Sequence, residues 1–334
     1  MKLGSLSLDN NLILAPMQEV TTGPYRRFCR KFHKIGLVSV PMLYTKRIEK
    51  EPKSVYPDLY KIEKERPISV QLIGGEPESL KRSIDFLESY KYDVLDINAG
   101  CPSKRAIRAK EGGYLLGNLQ QLQQIICIAV KYSSHPISLK IRTGLEKPND
   151  VEEVVKIIDD SGIDFLTIHG RTVKDRFNDS QLDLDFIKKV KHLISIPVIG
   201  NGDIVNPETA KNFIDYTNVD AIMIGRGTMG KPEIFCQIKN ASRDDNQNSF
   251  KNDINKLMNK IEIYKKCIEE FIDDKLNLSY SSERYEFLEL KRNSIWLSKE
   301  IENSTQIRIK ISKTKNLKEL NTTLNEISNN QIFS

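Results

Sequence analysis

Short apolar runs alternate along this chain with segments in which apolar residues recur every three or four positions. The runs are Leu12-Ile13-Leu14-Ala15, Gly36-Leu37-Val38-Ser39-Val40, Ile68-Ser69-Val70-Gln71-Leu72 and Tyr92-Asp93-Val94-Leu95. They continue with Ile137-Ser138-Leu139-Lys140-Ile141, Phe165-Leu166-Thr167-Ile168-His169, Pro197-Val198-Ile199-Gly200 and Ala221-Ile222-Met223-Ile224. Each is short and gives way to Pro, Gly or a polar residue, so each predicts a buried strand followed by a loop. The intervening segments predict helices over Tyr25–Phe32, Leu80–Tyr90, Leu119–Tyr132, Phe186–Leu193 and Pro207–Tyr216. Another is predicted along Val151, Val154, Val155 and Ile158, with Asn149 and Asp150 as candidate caps.

The strands are continuously apolar rather than alternating, which belongs to a parallel sheet covered by helices. About eight strand–helix repeats between Leu12 and Ile224 predict an α/β fold, a (β/α)8 TIM barrel. A doubly wound open sheet is the second choice, but no Gly-rich dinucleotide fingerprint follows the first strand. Past Phe235 the pattern changes. Asn240 to Asn252 is rich in Asn, Asp, Gln and Ser and reads as a linker. From Ile254 onward only helical spacing recurs, as in Ile261, Tyr264, Ile268 and Phe271, then Phe287, Leu288, Ile295 and Trp296. The predicted organisation is a barrel over 1–240, a linker over 241–252 and a small all-helical C-terminal domain over 253–334.

Chemistry in such a barrel collects at the C-terminal strand ends. Those ends carry Met17, Gln71, Asn98 with Cys101, Lys140, His169, Asn201 and Arg226. A single buried cysteine is by itself a packing residue. The recurrence of polar residues at equivalent positions is what makes Cys101 a candidate. A Lys and a His over one site suit an anionic, hydrogen-bonding ligand. The loops after the last two strands, Gly200-Asn201-Gly202-Asp203 and Gly225-Arg226-Gly227, lie where barrels commonly bind phosphate. Glycine lets backbone N–H groups approach phosphate oxygens, and Arg226 adds a permanent cation.

Composition narrows the classes. The 334 residues are 39% hydrophobic, enough for a sizeable core. No apolar run reaches membrane-spanning length, and Met1-Lys2-Leu3-Gly4-Ser5 does not open a signal peptide, so a cytoplasmic protein is expected. Five cysteines without close pairing argue against a disulfide framework or a structural zinc, and no metal is expected. A net charge of +6 leans weakly toward polyanions.

At these residues the sequence resembles the tRNA-dihydrouridine synthases. The matching stretches are Ala15-Pro16-Met17 with Val20-Thr21, Gln71, Asp96-Ile97-Asn98-Ala99-Gly100-Cys101-Pro102, and Gly112 to Leu116. They continue through Lys140-Ile141-Arg142-Thr143-Gly144, His169-Gly170-Arg171-Thr172, Asn201-Gly202-Asp203 and Gly225-Arg226-Gly227. The resemblance spans the whole predicted barrel in order, and Phe287-Leu288-Glu289-Leu290-Lys291-Arg292 extends it into the helical region.

What the resemblance implies is an FMN enzyme, with NADPH or NADH as electron source, that reduces specific tRNA uridines to dihydrouridine. Pro16, Met17, Gln18 and Gln71 would then hold the isoalloxazine, with Lys140 and His169 also contacting the flavin. Asn201, Gly202, Asp203, Gly225 and Arg226 would hold the ribityl phosphate. Asn98 and Arg171 would bind the substrate. Hydride from flavin N5 would reach C6 of the uracil, and Cys101 would be the general acid at C5. A thiol, mostly protonated at neutral pH, suits that task. The helical domain would dock tRNA, with Arg284, Lys291 and Lys299 as a candidate phosphate-facing stripe, and the protein is expected to be a monomer. Two alternatives are an FMN dehydrogenase of the dihydroorotate type and a non-catalytic tRNA-binding protein.

Overall fold

Among the described residues nine strands run parallel, buried along almost their whole length because barrel neighbours cover them inside and helices outside. The computed structural model describes residues 1–60, 65–178, 182–241, 254–272 and 281–329. In chain order the strands are β1 (Lys2–Leu3), β2 (Leu6–Ser7), β3 (Leu12–Leu14), β4 (Val38–Ser39), β5 (Leu43–Tyr44) and β6 (Ile68–Ile73). Then follow β7 (Val94–Ala99), β8 (Ile137–Arg142), β9 (Phe165–His169), β10 (Val198–Asn201) and β11 (Ala221–Ile224). The sheet order is β3-β11-β10-β9-β8-β7-β6-β4, with β5 also on β6. A parallel bridge between Ile13 and Leu37 brings β3 back to the β4 side, so the sheet closes as the (β/α)8 reading requires. Pro41 separates β4 from β5; with no N–H to give the ladder, it divides one barrel position into two short strands.

The interior is layered. Ile13, Leu37, Val94, Phe165, Ile199 and Ala221 form an apolar floor near the N-terminal strand ends, together with Leu3 and Leu8. Leu3 and Leu8 come from the antiparallel β1–β2 hairpin and the residue after it, which plug that end. Polar side chains begin above the floor, so the opposite end is the one left to chemistry.

Strand β7 differs from its sequence expectation. It begins at Val94 rather than Tyr92 and runs on to Ala99, so Asn98 lies within the strand. Asp93 instead accepts a hydrogen bond from Ile68 N on its carboxylate at 2.8 Å. The predicted helices lie within a few residues of the observed ones, which include Pro77–Leu87, Leu119–Tyr132 and Leu184–Leu193. Asp150 caps its helix by accepting from Glu153 N at 3.0 Å.

By contacts the chain forms two compact units, Met1–Thr22 with Lys34–Gly225, and Gly23–His33 with Arg226–Ser334. The division falls at Gly225/Arg226 rather than near residue 240, and the helix Gly23–Phe32 groups with the later helices. The reason is aromatic packing. Phe28 meets Tyr264 with ring centroids 4.9 Å apart, and Tyr25 OH bonds Thr228 Oγ1 at 2.9 Å. Most of the expected linker, 242–252, lies outside the described residues. No helix among the described residues is long and apolar enough to cross a membrane.

Candidate active site

Alternation along β7 puts Val94, Asp96 and Asn98 on one side of the strand, and the register carries that side to its neighbours. Gln71 stands opposite Asp96, Asp96 opposite Ser138, and Asn98 opposite Lys140. Further round, Asn201 stands opposite His169.

These side chains are joined. Ser138 Oγ donates to Asp96 Oδ1 at 2.7 Å, and Gln71 Nε2 donates to Asp96 Oδ2 at 2.6 Å. Asn98 Nδ2 donates to Gln71 Oε1 at 2.8 Å. The other end of that amide, Asn98 Oδ1, accepts from the backbone N–H of Gly100 at 3.0 Å and of Cys101 at 2.9 Å. A line of hydrogen bonds therefore runs from the barrel interior to the loop that carries the thiol. Gln71, Asp96 and Ser138 are all buried. Burial pushes the Asp96 carboxyl up to about 6, against the opposing pull of Ser138, Gln71 and Lys140.

Two strands round the barrel, Lys140 Nζ donates to Asn201 Oδ1 at 3.0 Å, while Asn201 Nδ2 donates to the carbonyl of Met223 at 2.8 Å. Removal from water pushes the Lys140 ammonium down to about 8, and the nearby Arg142 charge adds to that. His169, at the end of β9, is buried. The floor of polar groups thus carries one ammonium and several amide donors.

The cysteine loop is held from two sides. Besides Asn98, the guanidinium of Arg142 donates from Nε to the carbonyl of Gly100 at 3.0 Å and from Nη1 to those of Thr172 and Arg176. Cys101 is buried in a small cluster with Tyr44, Ile73 and Ala106, flanked by Met42. Its Sγ approaches Ser103 Oγ at 3.5 Å, and Ser103 caps the short helix Lys104–Arg108. Arg105 on that helix lies over the Tyr44 ring, 4.0 Å from its centroid.

The remaining expected residues fall in the loops. Pro16 and Met17 are partly buried and Gln18 is exposed. Thr21 Oγ1 accepts from Met17 N at 3.0 Å and fixes that turn. Gly202 has φ +135° and Asp203 φ +45°, a left-handed turn that only glycine enters freely at the first position. Arg171 is buried and donates to both oxygens of Asp203, at 3.0 and 2.5 Å. Gly225 ends the first unit after β11, where an added Cβ would lie 3.4 Å from Met17 Sδ. Arg226 opens the second unit with its side chain exposed.

Of the expected residues, Gln71, Asn98 and the Cys101 backbone are joined directly, as are Lys140 with Asn201 and Arg171 with Asp203. Sequence reasoning gave no role to Asp96, Ser138 or Arg142. Two polar residues at alternate positions of an otherwise apolar strand were the available signal for Asp96. The described residues contain no group of three or more His, Cys, Asp or Glu placed to hold a metal ion. The five cysteines are all unbridged.

Known proteins resemble this chain at two levels. The family profile described as "Dihydrouridine synthase (Dus)" matches residues 13–332. The tRNA-dihydrouridine synthase B of Pasteurella multocida is 39% identical over 241 residues, covering 70% of this chain and 70% of that protein. Its counterpart from Vibrio parahaemolyticus is 38% identical over 240 residues, covering 71% and 74%. Among solved structures, morphinone reductase superposes with a TM-score of 0.53 at 12% identity, covering 72% of this chain and 88% of that one. Histamine dehydrogenase from Rhizobium sp. 4-9 gives 0.56 at 12% identity, covering 80% and 50%. At such identities the structural likeness is one of fold.

Proposed function

The chain belongs to the dihydrouridine synthase family, a flavin-dependent oxidoreductase that reduces uridines of tRNA to dihydrouridine, and we propose how its own residues divide that work. The donor set at the barrel mouth fits a flavin. The Lys140 ammonium and the amide N–H of Gln71 not given to Asp96 suit ring carbonyls and nitrogens, and Met17 with Ala15 offers an apolar wall beside Gly225. Pro16, Met17, Gln18, Gln71, Lys140 and His169 would hold the ring system. Asn201, Gly202, Asp203, Gly225 and Arg226 would hold a single phosphate, which makes FMN the cofactor. When bound, the flavin supplies the hydride that enters C6 of the uracil, and NADPH or NADH restores it.

Asn98 orients the uracil, which must leave the tRNA stack to reach the barrel mouth. Cys101 Sγ holds the proton that C5 receives, so that charge left on the ring by hydride addition is neutralised in the same site. Lys140, cationic below about pH 8, would set a positive charge beside the ring system. Arg171 braces Asp203 and lies beside the substrate. The helical unit grips the tRNA, in the cytoplasm, and the protein acts as a monomer.

The observation that carries this reading is the joining of Asn98 to the Cys101 backbone at the end of β7. Incubating the protein with NADPH and tRNA made without modifications tests it. Nucleoside mass spectrometry should show uridine gaining two hydrogens at defined positions. Consumption of NADPH with tRNA left unreduced, or turnover only with small pyrimidines, would refute it.

A further inference from the structure

The hydrogen bonds from Ser138 to the Cys101 loop have a fixed sense, set at the loop end by backbone N–H groups and at the barrel end by a carboxylate. The amides of Gln71 and Asn98 are each donor at one end and acceptor at the other, so either could be turned end for end. Turned, Asn98 would aim its Nδ2 at the N–H groups of Gly100 and Cys101, donor against donor. A carboxylate only accepts. With Asp96 Oδ2 beside it, Gln71 must point Nε2 inward and Oε1 toward Asn98. Asn98 must then offer Nδ2 to Gln71 and Oδ1 to the loop. Gln71 is 1% exposed and Asp96 4%, so bulk water is no substitute for either partner.

We propose that Asp96 is a positioning residue for the reaction: by fixing the sense of the Gln71 and Asn98 amides it pins the Gly100–Cys101 backbone and so places Cys101 Sγ. The consequence for the reaction rests on the reading of Cys101 as the proton donor. The relay also tolerates protonation of Asp96. A proton on Oδ1 would be donated to Ser138 Oγ, a hydroxyl that can accept, leaving Oδ2 to Gln71.

Residue-resolved hydrogen exchange on the full-length flavin-loaded protein tests the placement. Asp96→Asn keeps an acceptor toward Gln71 and turns its NH2 to Ser138, so exchange at Gly100 and Cys101 should stay within about twofold of wild type. Asp96→Leu removes the acceptor, and Gln71→Met removes the link to Asn98. Both should speed exchange at Gly100 and Cys101 by about tenfold or more. Leu95, whose N–H donates to Pro136 O, should be unaffected. Alkylation of Cys101 by iodoacetamide, followed by peptide mass spectrometry, should quicken in the same two variants. Should Asp96→Leu fail to fold, Gln71→Met carries the comparison alone. The proposal falls if Gly100 and Cys101 exchange alike in all variants, if Leu95 is accelerated equally, or if Asp96→Asn behaves as Asp96→Leu. Single-turnover uridine reduction separates the two ideas. A loosened loop with a wild-type rate would sink the proton-donor reading of Cys101 and leave the relay standing.

Discussion

Lys140 and Asp96 are both held away from their ordinary ionisation by burial, and in opposite directions. Asp96 rises from 3.8 to about 6, so between those values the native state binds more protons than the unfolded one and stability falls as pH rises. Lys140 falls from 10.5 to about 8, so between about 8 and 10.5 the native state binds fewer protons and stability rises with pH. The pair therefore contributes least between about pH 6 and 8, where both groups are charged. A ligand with negative charge near Lys140 gains there. Flavin affinity should decline as pH passes upward through about 8, and Lys140→Met should be weaker at neutral pH and lack that decline. Equilibrium titration of the flavin-free protein across this range checks both; a pH-independent wild type would remove Lys140 from the cofactor site.

At the scale of elements, the barrel was legible because its strands are short, mostly apolar runs, so segments such as Phe165–His169 announce themselves. What could not be read was anything fixed by register. Asp96 looks like the end of a strand until Gln71 and Ser138 are known to flank it, and Tyr92 looks like the beginning until Asp93 is seen to accept from Ile68 N. The helix Gly23–Phe32 was predicted correctly as a helix. Its grouping with helices more than 200 residues later was not visible, because Phe28 meets Tyr264 only in three dimensions. Close helix–strand packing is also testable. A Cβ on Gly200 would come within 2.2 Å of the buried Phe213 ring on the helix Pro207–Thr217. Gly200→Ala should cost about 1–3 kcal/mol, read from the urea midpoint. A neutral substitution would mean that the ring moves aside freely.

For the whole molecule, the question is how a polyanion is gripped by a chain whose net charge is only +6. Of the three cations singled out on the helical unit, Arg284 and Lys299 are exposed. Lys291 donates to Thr314 O at 2.6 Å and lies over the Phe287 ring, which ties it to its own unit. Replacing Arg284 and Lys299 by Ala should reduce the salt slope of tRNA binding by about one per lost phosphate contact. Lys291→Ala should lower the stability of the helical unit and leave that slope unchanged. Binding measured from low to moderate salt decides between the assignments; an unchanged slope in the double variant would move docking to other residues.

The proposed reaction turns on Cys101 as the group that protonates the uracil. Cys101→Ala should keep flavin, keep its reduction by NADPH and keep tRNA binding, since none of these involves a proton at C5. The decisive measurement is a single turnover: pre-reduced protein mixed anaerobically with unmodified tRNA, with dihydrouridine counted against time by mass spectrometry. The rate in the Ala variant should fall by about 10²–10⁴-fold. Dihydrouridine formed at the wild-type rate would show that Cys101 is a packing residue and that the proton comes from elsewhere.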